Sequence, residues 1–336
     1  MAEMMYRDAV RETIREEMAR DESVVVLGED VVGGMGTAGG PEAIGGIWST
    51  STGLFEQFGA SRVIDTPISE SAIVGTAGGL ALSGKRPVAE LMFADFIGVS
   101  LDQLWNQIGK FRYMFGGKTR CPAVIRMAYG GGYNAAAQHS QCVHQILTGM
   151  PGLKVVMPST PEDVRGLLRT AIRGDDPVMF LEPLRGYRGI RDDVPDGEHL
   201  VPLGSARTAR PGGDAVVIAW SHQVELACRA SDRLAEEGLS VRVLDLRCLV
   251  PLDLAAIAEA VDACGRVVVT EESPRTGGFG GEVVATIVEE SFWSLEAPVV
   301  RVSGFDVPYP VGMVENRYLP DEDRIAAAVR HVLDMA

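Results

Sequence analysis

Continuous apolar runs alternate with amphipathic stretches along most of the chain. Apolar runs of strand length stand at 24–30, 87–93, 122–128, 153–158 and 177–183. Helical periodicity of apolar positions is found at 5–20, 70–83, 99–112 and 161–173. Continuous apolar runs are typical of strands that are buried on both faces. The alternation therefore predicts a parallel sheet that is covered by helices.

The alternation stops between residues 184 and 201, where charged residues, Gly and Pro dominate. It then restarts, with apolar runs at 215–220, 240–246, 266–272 and 298–304 and helical patterns at 223–237, 252–263, 281–292 and 321–334. Two such series predict two α/β domains, and a length of 336 residues agrees with that number. We expect a first domain over 1–185, a linker over 186–201 and a smaller domain over 202–336.

Composition and charge exclude several classes of protein. The chain has 46 acidic and 31 basic residues, a net charge of -15, which argues against nucleic-acid binding. The five cysteines form no CxxC pair, as expected for reduced thiols. The acidic, amphipathic N-terminus does not resemble a targeting peptide, and no apolar run is long enough to span a membrane. We expect a cytoplasmic protein.

The stretch "GMGTAG", residues 34–39, satisfies the dinucleotide-binding pattern GxGxxG and follows a predicted strand. The mechanism of that motif requires the glycines in a tight turn that leads directly into a helix. Here the glycines begin several residues after the strand, and Pro41 and further glycines follow. A loop at an active site or an interface is therefore favoured over a nicotinamide site, which a test for NAD binding would distinguish.

The stretch "DTPISES" places one carboxyl, Glu70, between the strand end Val63-Ile64 and a run that carries no charge until Lys85. A carboxyl in apolar surroundings can hold and pass a proton near neutral pH. The alternative is an acid that caps the helix predicted to begin here, a role for which Asp65 is better suited. Glu70 is therefore a candidate catalytic residue.

Six stretches, taken together, resemble one family along nearly the whole chain. They are "LGED" (27–30), "DTPISES" (65–71), "RPVAELMFADF" (86–96), "AAAQHSQ" (135–141), "PGLKVVMPSTPEDVRGLL" (151–168) and "LDLRCLVPLD" (244–253). The family is the β subunit of the thiamine-diphosphate-dependent first component of 2-oxo acid and acetoin dehydrogenase complexes. The resemblance implies an α/β fold, in which a transketolase-like pyrimidine-binding domain precedes a transketolase C-terminal-like domain.

The resemblance also implies roles for single residues. Glu70 matches the glutamate that hydrogen-bonds a ring nitrogen of the aminopyrimidine and so promotes cofactor activation. Ile68 and Phe96 match positions that pack against this ring, although the local pattern alone would place both in the core. Glu29 matches an acid near the cofactor, with a turn acid as an equal alternative. His139 matches a histidine that serves the substrate and acyl transfer; the alternative is an ordinary loop histidine.

The chain lacks the "GDG" sequence through which this family binds magnesium and the diphosphate. The resemblance therefore implies that thiamine diphosphate is shared with an α subunit, which holds the magnesium, in an α2β2 heterotetramer. The C-terminal domain would hold the lipoyl-bearing dihydrolipoamide acyltransferase core; its one further motif is "ESPRTGGFGGE" (272–282). Small residues at 71, 75, 79 and 83 predict a smooth helix face, for close packing at a subunit interface or on the sheet.

The substrate divides the family. The segments 29–48 and 90–118 resemble the branch that cleaves acetoin, whereas "ESPRTGGFGGE" is more similar to the pyruvate and branched-chain branches. We expect acetoin, with pyruvate second and branched-chain 2-oxo acids third. A non-catalytic scaffold homologue is the alternative from another class, and the presence of both Glu70 and His139 argues against it.

Overall fold

The computed structural model describes residues 2–33, 45–195 and 197–335, which fall into two compact units. The first unit comprises Met1–Tyr129 and Ile146–Leu203, and the second comprises Gly130–Gln145 and Gly204–Ala336. The motif at 34–39 lies outside the described residues. The segment that carries His139 thus groups with the second unit, although it directly follows strands of the first along the chain.

The strands up to residue 203 are β1 (Ala2–Met5), β2 (Val24–Gly28), β3 (Val63–Asp65), β4 (Arg86–Phe93), β5 (Val124–Tyr129), β6 (Lys154–Val156), β7 (Val178–Pro183) and β8 (Arg191–Val194). Within the first unit, six of these form a sheet in the order β6-β7-β5-β4-β2-β3. Every neighbouring pair in this order is parallel. Strands β1 and β8 form a separate antiparallel pair, so part of the stretch 186–201 is a strand. The domain bounds expected above stay a prediction.

The helices of this part of the chain are α1 (Tyr6–Arg20), α2 (Leu54–Phe58), α3 (Glu70–Leu82), α4 (Phe111–Met114), α5 (His144–Thr148), α6 (Pro161–Arg173) and α7 (Gly186–Gly189). Helix α6 begins as its sequence predicts: Pro161 occupies the first turn and the Thr160 hydroxyl accepts a hydrogen bond from the Asp163 N–H, 3.2 Å away. Among the described residues, no helix is long and apolar enough to cross a membrane.

The predicted helix over 99–112 is not a single α-helix. A 3₁₀ stretch, Ala94–Ser100, is followed by a π-helical turn, Gln103–Ile108, and then by the short α4. The Gly109 N–H donates to the Leu104 carbonyl five residues earlier, 2.9 Å away, which widens the turn. A methyl group at Gly152 would lie 1.8 Å from the Gly109 carbonyl, so this close approach of two chain segments needs a glycine at 152.

The second unit contains β9 (Arg207–Arg210), β10 (Ala215–Ala219), β11 (Val241–Asp245), β12 (Cys248–Val250), β13 (Val267–Pro274) and β14 (Val300–Gly304). Its helices are α8 (His222–Glu236), α9 (Leu254–Cys264), α10 (Gly280–Ser291), α11 (Glu315–Tyr318) and α12 (Glu322–Asp334). Five strands form a sheet in the order β14-β13-β10-β11-β9, which is parallel except at the edge strand β9. The predicted α/β class, with mostly parallel sheets, is confirmed.

A buried ion network crosses the middle of the first sheet. Arg126 on β5 donates to Glu182 on β7 through Nε and Nη2, at 2.7 and 2.8 Å, and to Glu90 on β4 through Nη1, at 2.9 Å. The Tyr187 hydroxyl donates to Glu182 and the Thr50 hydroxyl donates to Glu90. All five residues are buried. Burial raises the pKa of Glu182, against the opposing effect of the guanidinium.

Replacement of Arg126 by Met should destabilise the first unit by about 3–5 kcal/mol, because two carboxylates would be left buried without their cation. Urea unfolding of the purified chain measures this loss. Arg330→Met removes an exposed Arg330–Glu237 pair instead and should leave the unfolding midpoint nearly unchanged, because solvent screens an exposed pair. Equal losses in the two variants would contradict the importance of the buried network.

Candidate active site

Four acidic side chains gather at the carboxyl ends of β2 and β3. Glu29 and Asp30 follow β2, Asp65 ends β3, and Glu70 begins α3. Because β2 and β3 are parallel and Gly28 pairs with Asp65, these residues come to the same edge of the sheet. The Asp65 carboxylate accepts a hydrogen bond of 2.7 Å from the backbone N–H of Val32, which ties the two strand ends together.

The pKa values of two of these four acidic side chains, Glu29 and Asp65, are raised. Partial burial raises the pKa of Glu29, and the negative charges of Asp30 and Glu70 raise it further. The pKa of Asp65 is raised by burial and by Asp30, while the hydrogen bond from the Val32 N–H opposes the shift. Each carboxylate that stays ionised makes ionisation of its neighbours less favourable. The edge of the sheet is thus a place where a carboxyl can retain a proton.

Glu70 is half-buried and occupies the first position of α3, after the N-cap residue Ser69. Asp65, the residue that the sequence favours for capping, accepts a hydrogen bond from the Val32 N–H instead. The uncharged stretch after Glu70 is buried on only one face of α3. Ile73 is buried on that face, whereas Gly75 on the opposite face is exposed.

Apolar side chains flank Glu70 without being part of the core. Ile68 is 78% exposed, and Phe96, on the 3₁₀ stretch, is half-buried. The core positions that the local pattern would give to both residues are wrong, because each belongs to a connection that leaves the carboxyl edge of the sheet. The Ser71 hydroxyl donates to the Val99 carbonyl, which joins α3 to the stretch bearing Phe96. Val99 itself is 65% exposed.

These residues fit one end of thiamine diphosphate. A heteroaromatic ring such as an aminopyrimidine needs a hydrogen-bonding partner at its edge and apolar contacts on its faces. Glu70 can supply the hydrogen bond at the edge of the ring, and Ile68 and Phe96 can supply the apolar contacts on its faces. Within residues 2–33, 45–195 and 197–335, no group of three or more His, Cys, Asp or Glu side chains could hold a metal ion.

His139 belongs to the second unit, whereas Glu29, Ile68, Glu70 and Phe96 belong to the first. It is half-buried, and its backbone N–H donates to the Ala136 carbonyl at 3.3 Å. Glu29, Ile68, Glu70 and Phe96 share the carboxyl edge of one sheet. Asp30 also belongs to this edge, although no motif identifies it as a candidate residue. Its place directly after a buried strand is the sequence feature that indicates it.

Two family models match the chain. The transketolase pyrimidine binding domain matches residues 2–189, and the transketolase C-terminal domain matches residues 204–325.

Curated relatives match over nearly the full length. The chain is 44% identical to the β subunit of acetoin:2,6-dichlorophenolindophenol oxidoreductase from Cupriavidus necator, with 97% of this chain and 96% of the relative covered. It is 42% identical to the β subunit of 2-oxoisovalerate dehydrogenase from Bacillus subtilis, with 99% and 100% covered. Among solved structures, an inactive β4 tetramer of a split-gene transketolase superposes with a TM-score of 0.79 at 24% identity, over 99% of both chains. That structure supports the fold alone.

Replacement of Glu70 by Gln should lower the pKa of Glu29, because one of the negative charges that raise it is removed. The shift can be followed by NMR titration of ¹³C-labelled glutamate carboxyl groups, with Glu29→Gln used to assign the signal. Glu56→Gln changes an exposed acid on α2 that does not contribute to the shift, and it is the matched control. An unchanged Glu29 titration in Glu70→Gln would show that the two carboxyls are not coupled.

Proposed function

The chain belongs to the family of β subunits of the thiamine-diphosphate-dependent first component of acetoin and 2-oxo acid dehydrogenase complexes, and from this membership we propose that it serves an acetoin-cleaving enzyme. Acetoin would be cleaved to acetaldehyde, and the remaining two-carbon unit would pass to a lipoyl acceptor. The observation that carries the proposal is the half-buried Glu70 beside the exposed Ile68, at the edge where the acidic group gathers.

When bound, thiamine diphosphate supplies a carbon nucleophile that also accepts electrons. Glu70 would hold a proton in a hydrogen bond to a nitrogen at the edge of the aminopyrimidine. Glu29, whose pKa is raised by burial and by the charge of Asp30, would be a second acidic group close to that carboxyl. Ile68 and Phe96 would contact the ring and exclude water from the bond that Glu70 makes.

His139 would serve the substrate and the acyl acceptor rather than the cofactor. Its half-buried position leaves part of the imidazole accessible, as a group that meets a lipoyl acceptor requires. An imidazole can donate or accept a proton near neutral pH, and it can therefore stabilise charge that develops during acyl transfer.

The names of the relatives, as β subunits, imply an α subunit as partner. We propose that this partner binds magnesium and the diphosphate, and that two copies of each chain form an α2β2 heterotetramer. The exposed face of α3 supports such an assembly, because Gly75 and Gly79 are both exposed and the space beside Gly79 is open to a second helix. The domain expected over 202–336 would hold the lipoyl-bearing acyltransferase core.

The choice of acetoin depends on two observations. The segments 29–48 and 90–118 resemble the acetoin branch, and the relative at 44% identity is named for acetoin. The relative at 42% identity is named for 2-oxoisovalerate, so pyruvate and branched-chain 2-oxo acids are the alternative substrates. A scaffold without catalysis would not need the acidic group around Glu70.

Glu70→Gln in the reconstituted α–β assembly should lower turnover by roughly two decades or more, because an amide cannot exchange the proton that the carboxyl provides. Assembly should be unaffected, since Glu70 is half-buried and makes no ion pair that Gln would break among the described residues. Turnover is measured with an artificial electron acceptor. The exposed Glu56→Gln should retain full turnover, and near-normal turnover of Glu70→Gln would contradict the assignment.

The reconstituted enzyme should have a higher specificity constant for acetoin than for pyruvate or a branched-chain 2-oxo acid. The difference should be modest between the small substrates, because discrimination by one methylene is worth about 1–3 kcal/mol. The same acceptor assay, run with each substrate in turn, gives the three constants. A clearly higher constant for either alternative would change the proposed substrate and leave the role of Glu70 intact.

A further inference from the structure

Two buried carboxylates of the second unit hold the backbone that leads to His139. The first is Glu272, near the end of β13. Its Oε1 accepts hydrogen bonds from the Gly131 N–H at 2.5 Å and from the Tyr309 hydroxyl at 2.9 Å. Hydrogen bonds to an ionised acceptor are stronger than those between neutral groups. The hydrogen bond to Glu272 therefore holds the backbone in place at residue 131.

The second carboxylate is Glu315, at the start of α11, which is 2% exposed. Its Oε1 accepts from the Gly132 N–H at 2.8 Å, and its Oε2 accepts from the Asn134 N–H at 3.2 Å. Both oxygens are therefore occupied by backbone donors of one short loop. Together with Glu272, this acid binds three N–H groups within four residues.

Two glycines of this loop are required by the side chains of Glu272 and Tyr309 that pack against them. A methyl group on Gly130, where φ is +84°, would lie 2.9 Å from Glu272 Oε1. A methyl group on Gly131 would lie 1.8 Å from the Tyr309 hydroxyl oxygen. The sequence "YGGG" thus lets the side chains of Glu272 and Tyr309 approach the main chain closely.

Glu271, the residue before Glu272, holds the other end of the segment 130–145, at His144. Glu271 is 1% exposed, and its Oε2 lies 3.4 Å from Nε2 of the buried His144. The Gly280 N–H and the Ser273 hydroxyl also donate to Glu271. Successive side chains of a strand point in opposite directions, so Glu271 and Glu272 can reach the two ends of the segment 130–145.

The backbone between Gly131, which is held by Glu272, and His144, which is held by Glu271, is strained. Ala136 has φ of +64°, a conformation that side chains with a Cβ rarely adopt, and Asn134, a residue type that tolerates it better, has φ of +55°. Such residues persist where the surroundings impose the conformation on them. The strain is immediately before His139, whose N–H closes the turn onto the Ala136 carbonyl.

We propose that Glu315 and Glu272 are positioning residues for His139. They hold residues 130–134 in the strained form, and Glu271 holds the far end through His144, so that the imidazole is kept where the acyl acceptor meets it. The inference rests on the proposed role of His139 and adds the residues on which that role depends. It also explains the acidic start of the "ESPRTGGFGGE" motif.

The test uses Glu315→Gln in the reconstituted α–β assembly. An amide has one acceptor oxygen, so one of the two N–H groups at 132 and 134 loses its partner. Transfer to a free lipoyl domain should fall about tenfold to a hundredfold, the scale of a small misplacement of a reacting group. Turnover with an artificial acceptor should stay within about threefold. Hydrogen exchange should become faster in residues 130–145.

Three further variants test whether the loss of transfer activity arises from the positioning of His139. Glu272→Gln keeps one oxygen that can still accept from the Gly131 N–H and the Tyr309 hydroxyl, and it should lose less transfer activity than Glu315→Gln. Glu237→Gln alters an exposed acid that pairs with Arg330, and it should change neither transfer nor exchange. The double variant Glu315→Gln/His139→Ala should transfer no more slowly than His139→Ala alone, because a positioning residue acts only through the group it positions.

The outcomes separate this inference from the proposed function. Unchanged exchange in 130–145, or additive losses in the double variant, would overturn the positioning role of Glu315. Full transfer activity of His139→Ala would contradict the role proposed for His139, and faster exchange in Glu315→Gln would still show that the carboxylate holds the segment. Faster exchange with non-additive loss of transfer supports the proposal.

Discussion

The parallel pairing of β2 with β3 is the constraint on which the candidate site depends. Parallel strands present their carboxyl ends at the same edge, so the residues that follow β2 and those that follow β3 meet there. Glu29, Asp30, Asp65 and Glu70 are brought together in this way, although as many as 41 positions separate them along the chain. The ion network of Arg126 stabilises the neighbouring strands, because a buried guanidinium must keep both of its carboxylate partners.

The chain uses carboxylates for two different purposes. At the edge of the first sheet, neighbouring acids contribute to the raised pKa values of Glu29 and Asp65, and the strength of that effect depends on the charge of each neighbour. In the second unit, Glu272 and Glu315 accept hydrogen bonds from backbone N–H groups and hold a loop. The first arrangement suits a group that exchanges protons. The second suits a group that fixes geometry, because its oxygens are occupied by donors that do not titrate.

Much of the fold could be predicted, because buried parallel strands and amphipathic helices leave strong periodic signals. The segment 99–112 could not be predicted correctly, since its apolar periodicity does not distinguish a continuous α-helix from a 3₁₀ stretch and a π-helical turn, and since the approach of Gly152 to Gly109 joins residues distant in sequence. Strand β8 was missed for a related reason, because its partner β1 lies at the other end of the first unit. The local pattern alone would place Ile68 in the core, because an apolar side chain carries no local sign of its exposure; only the resemblance to the family points to its role at the cofactor.

The sequence by itself determined the α/β class, the family and the identity of Glu29, Ile68, Glu70, Phe96 and His139 as candidate residues. These follow from local periodicity and from motifs, both of which are properties of neighbouring residues. Only the tertiary structure decided that the pKa of Glu29 responds to Glu70, and that Glu272 and Glu315 bind the loop before His139. Electrostatic coupling and hydrogen bonding act over a few ångströms in space, and residues as far apart as 132 and 315 become neighbours only when the chain has folded.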